Sequence, residues 1–139
     1  MNFFITLKKR HLAVILAFLI VSFLIFGQFL TAASSKIDGS TNAARISYIK
    51  SIGEEPDDTN ISSKEITIPE TFSKVYENYN KIQKKAGFDL SLHKGEKAVV
   101  YTYALSGSDK NLHLIVADGI IIGGDIAEIE FGGEMLPLI

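Results

Sequence analysis

"LHLIVADGIIIGGDIAEIEF", residues 112–131, decides the fold. Apolar residues run up to Asp118-Gly119 and away from it again. A two-residue Asp-Gly between such runs is a strong hairpin signal, because both central positions favour positive φ. The stretch therefore reads as a strand over 112–117, a tight turn, and a strand over 120–131. Pairing outward from the turn sets Val116 opposite Ile121 and Ala117 opposite Ile120. One face then holds Leu112, Leu114, Val116 and Ile121. The other holds Ile115, Ile120 and Ile122 with His113. A sheet covered on one side only should be polar on its other side. Neither side is polar here, so the outer face is expected to meet the C-terminal tail, another subunit or a protein partner.

Upstream, "KAVVYTYAL" (97–105) is rich in β-branched and aromatic residues and supplies a third strand. A helix is expected from Pro69-Glu70 onward, with Phe72, Val75, Tyr76, Tyr79, Ile82 and Ala86 as its apolar stripe and Gly87 as its stop. Lys81, Lys84 and Lys85 suit the negative end of its dipole. An earlier helix, about Ala43 to Ile52, is capped by Ser40 or Thr41 and ended by Gly53. "KEITIP" (64–69) is a short strand. The acidic run "EEPDDTNISS" (54–63) reads as a solvated loop, lacking the alternating oxygens and glycine turn of a calcium loop. This order gives an α+β domain over 43–139. Two helices are expected to pack on one face of a three- to four-stranded, mainly antiparallel sheet.

The N-terminal segment has a different character. Lys8, Lys9 and Arg10 precede Leu12–Leu30, which carries no charge. At ~1.5 Å per helical residue that run covers just under ~30 Å, the thickness of a bilayer core. Residues 1–33 are read as a cytoplasmic basic tip and a transmembrane signal anchor, and 34–42 as a polar stalk. The basic residues stay inside, so the domain lies outside a single-pass cell membrane. The alternative is cleavage near Ala33, after the small residues Thr31-Ala32-Ala33, and secretion. The chain has no cysteine, which removes a lipoprotein anchor, thiol catalysis and thiolate metal sites. Beyond residue 33, eleven Lys and Arg face sixteen Asp and Glu. That acidic balance argues against nucleic acid.

The stretch Gly123-Gly124-Asp125 invites a phosphate or metal reading. A phosphate cradle needs a following helix, and "DIAEIEF" alternates like a strand instead. Asp125 and the pair Glu128 and Glu130 fall on opposite faces of a regular strand. His93 lies in a loop, His113 lies mid-strand, and no Gly-x-Ser-x-Gly elbow is present. No catalytic residue, cofactor or metal ligand is assigned. The odd positions Ile121, Gly123, Asp125, Ala127, Ile129 and Phe131 suit a core, Asp125 excepted. Asp125 is therefore expected under the helices, paired with Arg45 or accepting from Tyr101, Tyr103 or backbone N–H groups. Gly123 leaves room for a helix or ring. A bulge at Gly123-Gly124 that throws Asp125 outward is the rival arrangement.

Between Arg45 and Asp125 the chain resembles a bacterial family described as domain of unknown function 4830. The shared pieces are Arg45 with Tyr48-Ile49 and Gly53; Ile68-Pro69; Tyr76 with Tyr79-Asn80; Gln83-Lys84-Lys85 before Gly87-Phe88-Asp89-Leu90; Gly95; Tyr101-Thr102-Tyr103; and Ile122-Gly123-Gly124-Asp125. Glu54 stands where the family pattern has tryptophan, and the tail "FGGEMLPLI" is less aromatic. The resemblance implies a small membrane-tethered extracytoplasmic domain and no assigned activity. Structural or binding roles are expected at Arg45, Tyr79, Asn80, Asp89, Tyr101, Tyr103, Gly123, Gly124 and Asp125. The functional expectation is a non-catalytic module that binds a protein or envelope component. An envelope hydrolase and a subunit of a membrane assembly are the alternatives.

Overall fold

A computed structural model describes residues 36–129 and 133–139, and Lys36–Ile139 belong to one compact unit. The apolar run 12–30, the basic residues before it, and Glu130 and Phe131 lie outside the described residues. Among those that are described, no helix is long and apolar enough to cross a membrane.

The elements are β1 (Ile37–Asp38), α1 (Asn42–Ser51), β2 (Pro56–Thr67), α2 (Lys74–Lys85), a 3-10 turn (Leu90–His93), β3 (Lys97–Leu105), β4 (Lys110–Ala117), β5 (Ile120–Glu128) and β6 (Met135–Leu136). The strands form one antiparallel sheet of six, ordered β1-β5-β4-β3-β2, with β6 beside β1 on the outer edge of β5. The domain is α+β, as the sequence suggested, with a larger sheet than expected. The Asp-Gly hairpin forms with the expected pairs, Val116 with Ile121 and Ala117 with Ile120. Asp118 and Gly119 both take positive φ.

Two segments read as loops are strands. Residues 54–63 contain much of β2, whose first part bulges away between Pro56 and Ile61. As an edge strand with both faces largely wet, it shows no apolar alternation. Within the expected stalk, Ile37 and Asp38 pair with Ile121 and Ile120. Helix α1 starts after the Thr41 cap, whose hydroxyl accepts from Ala44 N. Helix α2 starts later than Pro69, after Ser73 caps it. Its buried side is Asn80 and Gln83, with Tyr76 and Tyr79 beside them, and Val75 points out at 79% exposure. The inner stripe is thus turned toward polar residues.

The helices do not share a face of the sheet. Ile49 of α1, with Ile46 and Ile52, packs on Leu112, Leu114, Val116, Ile121 and Tyr103. Tyr76 and Tyr79 of α2, with Phe72 before it, pack on Ile115, Ala117, Ile122 and Ala98. Each apolar face is covered by a helix of the same chain, so the surplus apolar face that suggested a partner is accounted for internally. A bulge in β5 decides which helix its later residues meet. Ile115 pairs with Gly123 and Val116 with Ile121, so Ile122 is the extra residue. One extra residue exchanges the faces for everything beyond it. Gly123 and Asp125 therefore look toward α2, whereas Ile121 looks toward α1. The rival to a buried Asp125 was a bulge at Gly123-Gly124 that throws it outward; the bulge lies instead at Ile122, and it aims a buried Asp125 at the second helix.

Candidate functional site

Polar residues fasten a helix to each face. On the α2 side, Asp125 is 3% exposed. Its Oδ1 accepts from the Tyr79 hydroxyl at 2.6 Å, and its Oδ2 lies 3.0 Å from His113 Nδ1. His113 is the cross-strand partner of Asp125, and its side chain keeps 28% exposure. Arg45, Tyr101 and Tyr103 are on the opposite face and do not reach Asp125. The expected pairing of Asp125 with Arg45 is therefore replaced by Tyr79 and His113, because the bulge reverses the direction in which Asp125 points. Burial, then the Asp125 charge and hydrogen bond, push the Tyr79 phenol well above the usual range. A phenol held neutral beside a carboxylate is a donor, which is the role Tyr79 has here.

The glycines serve the same fastening. Between the short pairings with β1 and β6, the outer edge of β5 has no strand beside it among the described residues. The Gly124 N–H there donates to Gln83 Oε1 at 2.7 Å. That bond fixes the amide orientation and leaves Gln83 Nε2 buried with no hydrogen-bond partner among the described residues. A Cβ on Gly123 would stand 2.8 Å from Gln83 Oε1 and 3.1 Å from Leu90. One on Gly124 would collide with the His113 carbonyl oxygen and lie 2.7 Å from Leu138. Glycine fits at Gly123 because α2 and the 3-10 turn come this close, and is required at Gly124 because the His113 carbonyl and the C-terminal tail do.

Asn80 and Asp89 join α2 to the 3-10 turn. Asn80 Nδ2 donates to Asp89 Oδ1, and Leu90 N donates to Asn80 Oδ1. Hydrogen bonds from Asn80 and then Ser91 hold the Asp89 carboxyl well below the ordinary carboxylate range, with Lys84 3.2 Å away. The sequence named Tyr79, Asn80, Asp89, Gly123, Gly124 and Asp125, and all six fall in this α2 assembly. It missed Gln83, whose signal was an amide on the inward side of an amphipathic helix.

Arg45, Tyr101 and Tyr103 form a separate group on the α1 side. Arg45 is 6% exposed. Its Nε donates to the Tyr103 hydroxyl at 2.8 Å and its Nη1 to the Gly39 carbonyl at 2.7 Å. The Tyr103 hydroxyl in turn donates to Asn42 Oδ1. The guanidinium carbon sits 3.6 Å from the Tyr101 ring centroid, a cation–π stack. Among the described residues no carboxylate lies within ion-pair distance of Arg45. Beside this group runs an open groove of about 680 Å³, lined by Gly39, Ser40, Glu65, Lys97, Val99 and Tyr101 among others. No cluster of three metal-binding side chains occurs among the described residues.

These features define a class: a small α+β domain with one helix pinned to each face of an antiparallel sheet by buried polar side chains. The chain belongs to the family described as Domain of unknown function (DUF4830), whose model matches residues 53–126, more than half of the chain. The matched segment contains the whole α2 assembly with Tyr101 and Tyr103; Arg45 precedes it. Comparison with curated proteins and with solved structures gave no match.

Proposed function

We propose that this protein is a single-pass membrane protein whose residues 34–139 form a non-catalytic extracytoplasmic module that binds a protein or envelope component. The observation that carries the binding reading is the groove at the corner between β1 and β3. It stands apart from the α2 assembly, whose buried side chains bond to one another and hold the fold. The groove is open, lined by polar and apolar residues and walled by the stacked Tyr101, which suits recognition of a small polar group or a chain end. Membrane attachment is supported by Leu12–Leu30 and the three basic residues ahead of it. Protease added to intact protoplasts should remove the domain and leave the anchor. Recovery of a soluble protein beginning near Ser34 in the medium would replace the anchor with a cleaved leader.

One observation favours a second reading, an envelope hydrolase. Thr102 is the cross-strand neighbour of His113, which is paired with Asp125. A hydroxyl, an imidazole and a carboxylate thus share one row across the sheet. No hydrogen bond joins Thr102 to His113. Covalent labelling by a fluorophosphonate probe, abolished by Thr102→Ala and by His113→Ala, would establish this reading; an unlabelled chain would dismiss it.

A further inference from the structure

Charge is spread unevenly across the sheet. Glu54, Glu55, Asp57, Asp58 and Glu65 lie in β2 or just before it, and Lys64 is the cation of that strand. The strand order puts β1 four strand spacings away, about 19 Å at ~4.8 Å each. There the balance changes. Residues 78–88, the later part of α2 and its exit, hold Lys81, Lys84 and Lys85 and no acid. All three lysines are exposed, and Gln83 among them ties this part of α2 to Gly124 on the outer edge of β5. Ile37 and Asp38 pair antiparallel with Ile121 and Ile120 on that same edge, so the chain before Ile37 leads toward Gly123. Exposed Lys36 joins the group there. Asp38, Glu77 and Asp89 are the acids beside it. Asp89 pairs with Lys84 at 3.2 Å, and Lys36, Lys81 and Lys85 make no ion pair among the described residues. The helix dipole accounts for cations in the last turn of α2. It does not account for Lys36, at the place where the chain enters the domain.

We propose that this edge of the domain is a lipid-facing surface that rests on anionic headgroups, with the acidic β2 edge turned away from the bilayer. The inference rests on the membrane-anchor reading above and adds which side of the domain meets the lipid. Chain length supports it. Residues 31–36 join the apolar run 12–30 to β1. Fully extended, six residues span at most roughly 20 Å. A leash that short holds the β1 edge near the headgroups at high effective concentration, so a modest attraction is enough to seat it. Lys36, Lys81 and Lys85 supply that attraction, and the same surface repels the acids of the β2 edge. Beyond residue 33 the acids outnumber the bases. Anionic lipid therefore attracts this edge rather than the domain as a whole, and the result is an orientation.

The chain has no cysteine, so a single introduced one can carry a dye. The full chain is labelled at Asn78→Cys, on α2, or at Ser62→Cys, on β2; both positions are exposed. Each is reconstituted in nanodiscs with acceptor-labelled headgroups, made of phosphatidylcholine alone or mixed with phosphatidylglycerol. Energy transfer from Asn78→Cys should exceed that from Ser62→Cys in the anionic discs. The excess should shrink in phosphatidylcholine and in molar salt, where the screening length falls to ~3 Å. Lys81→Gln, Lys84→Gln and Lys85→Gln together should remove the part that anionic lipid adds. The same loss of charge at Lys50, Lys64 and Lys97, all exposed, should keep it. Equal transfer from the two positions in anionic discs overturns the proposal, as does an excess indifferent to lipid charge, to salt or to the α2 lysines. Elution of the chain apart from phosphatidylcholine discs overturns the anchor reading, and the docking with it. A chain that stays with the discs and shows no excess overturns the docking alone.

Discussion

Replacing Asp125 by alanine should be among the most damaging changes to this domain. The carboxylate is 3% exposed and accepts two hydrogen bonds, from Tyr79 at 2.6 Å and with His113 at 3.0 Å. A hydrogen bond to a charged group contributes about 1.5–3 kcal/mol. Its removal also strands the Tyr79 hydroxyl under α2. Two such bonds lost together give a loss of about 3–5 kcal/mol. Asp125→Asn keeps an acceptor for Tyr79 and should lose less. Tyr79→Phe should lose about 1.5–3 kcal/mol, and its effect should largely vanish in the Asp125→Ala background. Urea unfolding followed by circular dichroism reads these losses as a lower midpoint with the slope unchanged. A loss for Asp125→Ala within about half a kcal/mol, as at an ordinary surface position, would refute the fastening.

Other perturbations follow from the same geometry. Gly124→Ala drives a methyl into the His113 carbonyl and Leu138, and should destabilise by at least the roughly 1–3 kcal/mol of an overpacked core; Gly123→Ala meets the end of a side chain and should cost less by the same unfolding assay. Gln83→Ala leaves the Gly124 N–H without its acceptor and should cost about 1–3 kcal/mol, with faster hydrogen exchange at Gly124. The Tyr79 phenol is raised in the folded state, so its contribution is present below the ordinary value of 10.0 and is lost as pH rises above it; Tyr79→Phe should flatten the alkaline fall in stability. Asp89 is lowered in the folded state, so its contribution is present above the ordinary carboxylate value and is lost as pH falls below it; Asp89→Asn should make stability less sensitive to acid.

Much of the sheet was legible because its signals are local. Asp118-Gly119 announces its own turn, and β3, β4 and most of β5 carry the apolar and β-branched residues that strands need. Helix α1 was legible from Thr41 and Gly53, each of which does what its chemistry favours. The face to which Gly123 and Asp125 turn was not legible, because it depends on one extra residue at Ile122. The two glycines after it are compatible with a bulge and do not require one. Strand β2 was hidden because an edge strand in water has no reason to alternate, and β1 because two residues are too few to show a period. The candidate residues fall into two groups on opposite faces, and the partners expected for Asp125 were the wrong ones: Arg45 belongs with Tyr101 and Tyr103, and Asp125 with Tyr79 and His113.

The two polar groups and the groove take their arrangement from α1 and α2 lying on opposite faces of the sheet. Nuclear Overhauser contacts in the labelled protein measure this directly. Opposite-face packing requires contacts from the Tyr79 ring to Asp125 and His113, and from the Ile49 methyls to Leu112 and Leu114. Contacts from Tyr79 to Leu112 or Leu114, with none to His113, would put both helices on one face and contradict the bulge, the Asp125 fastening and the isolation of the groove together.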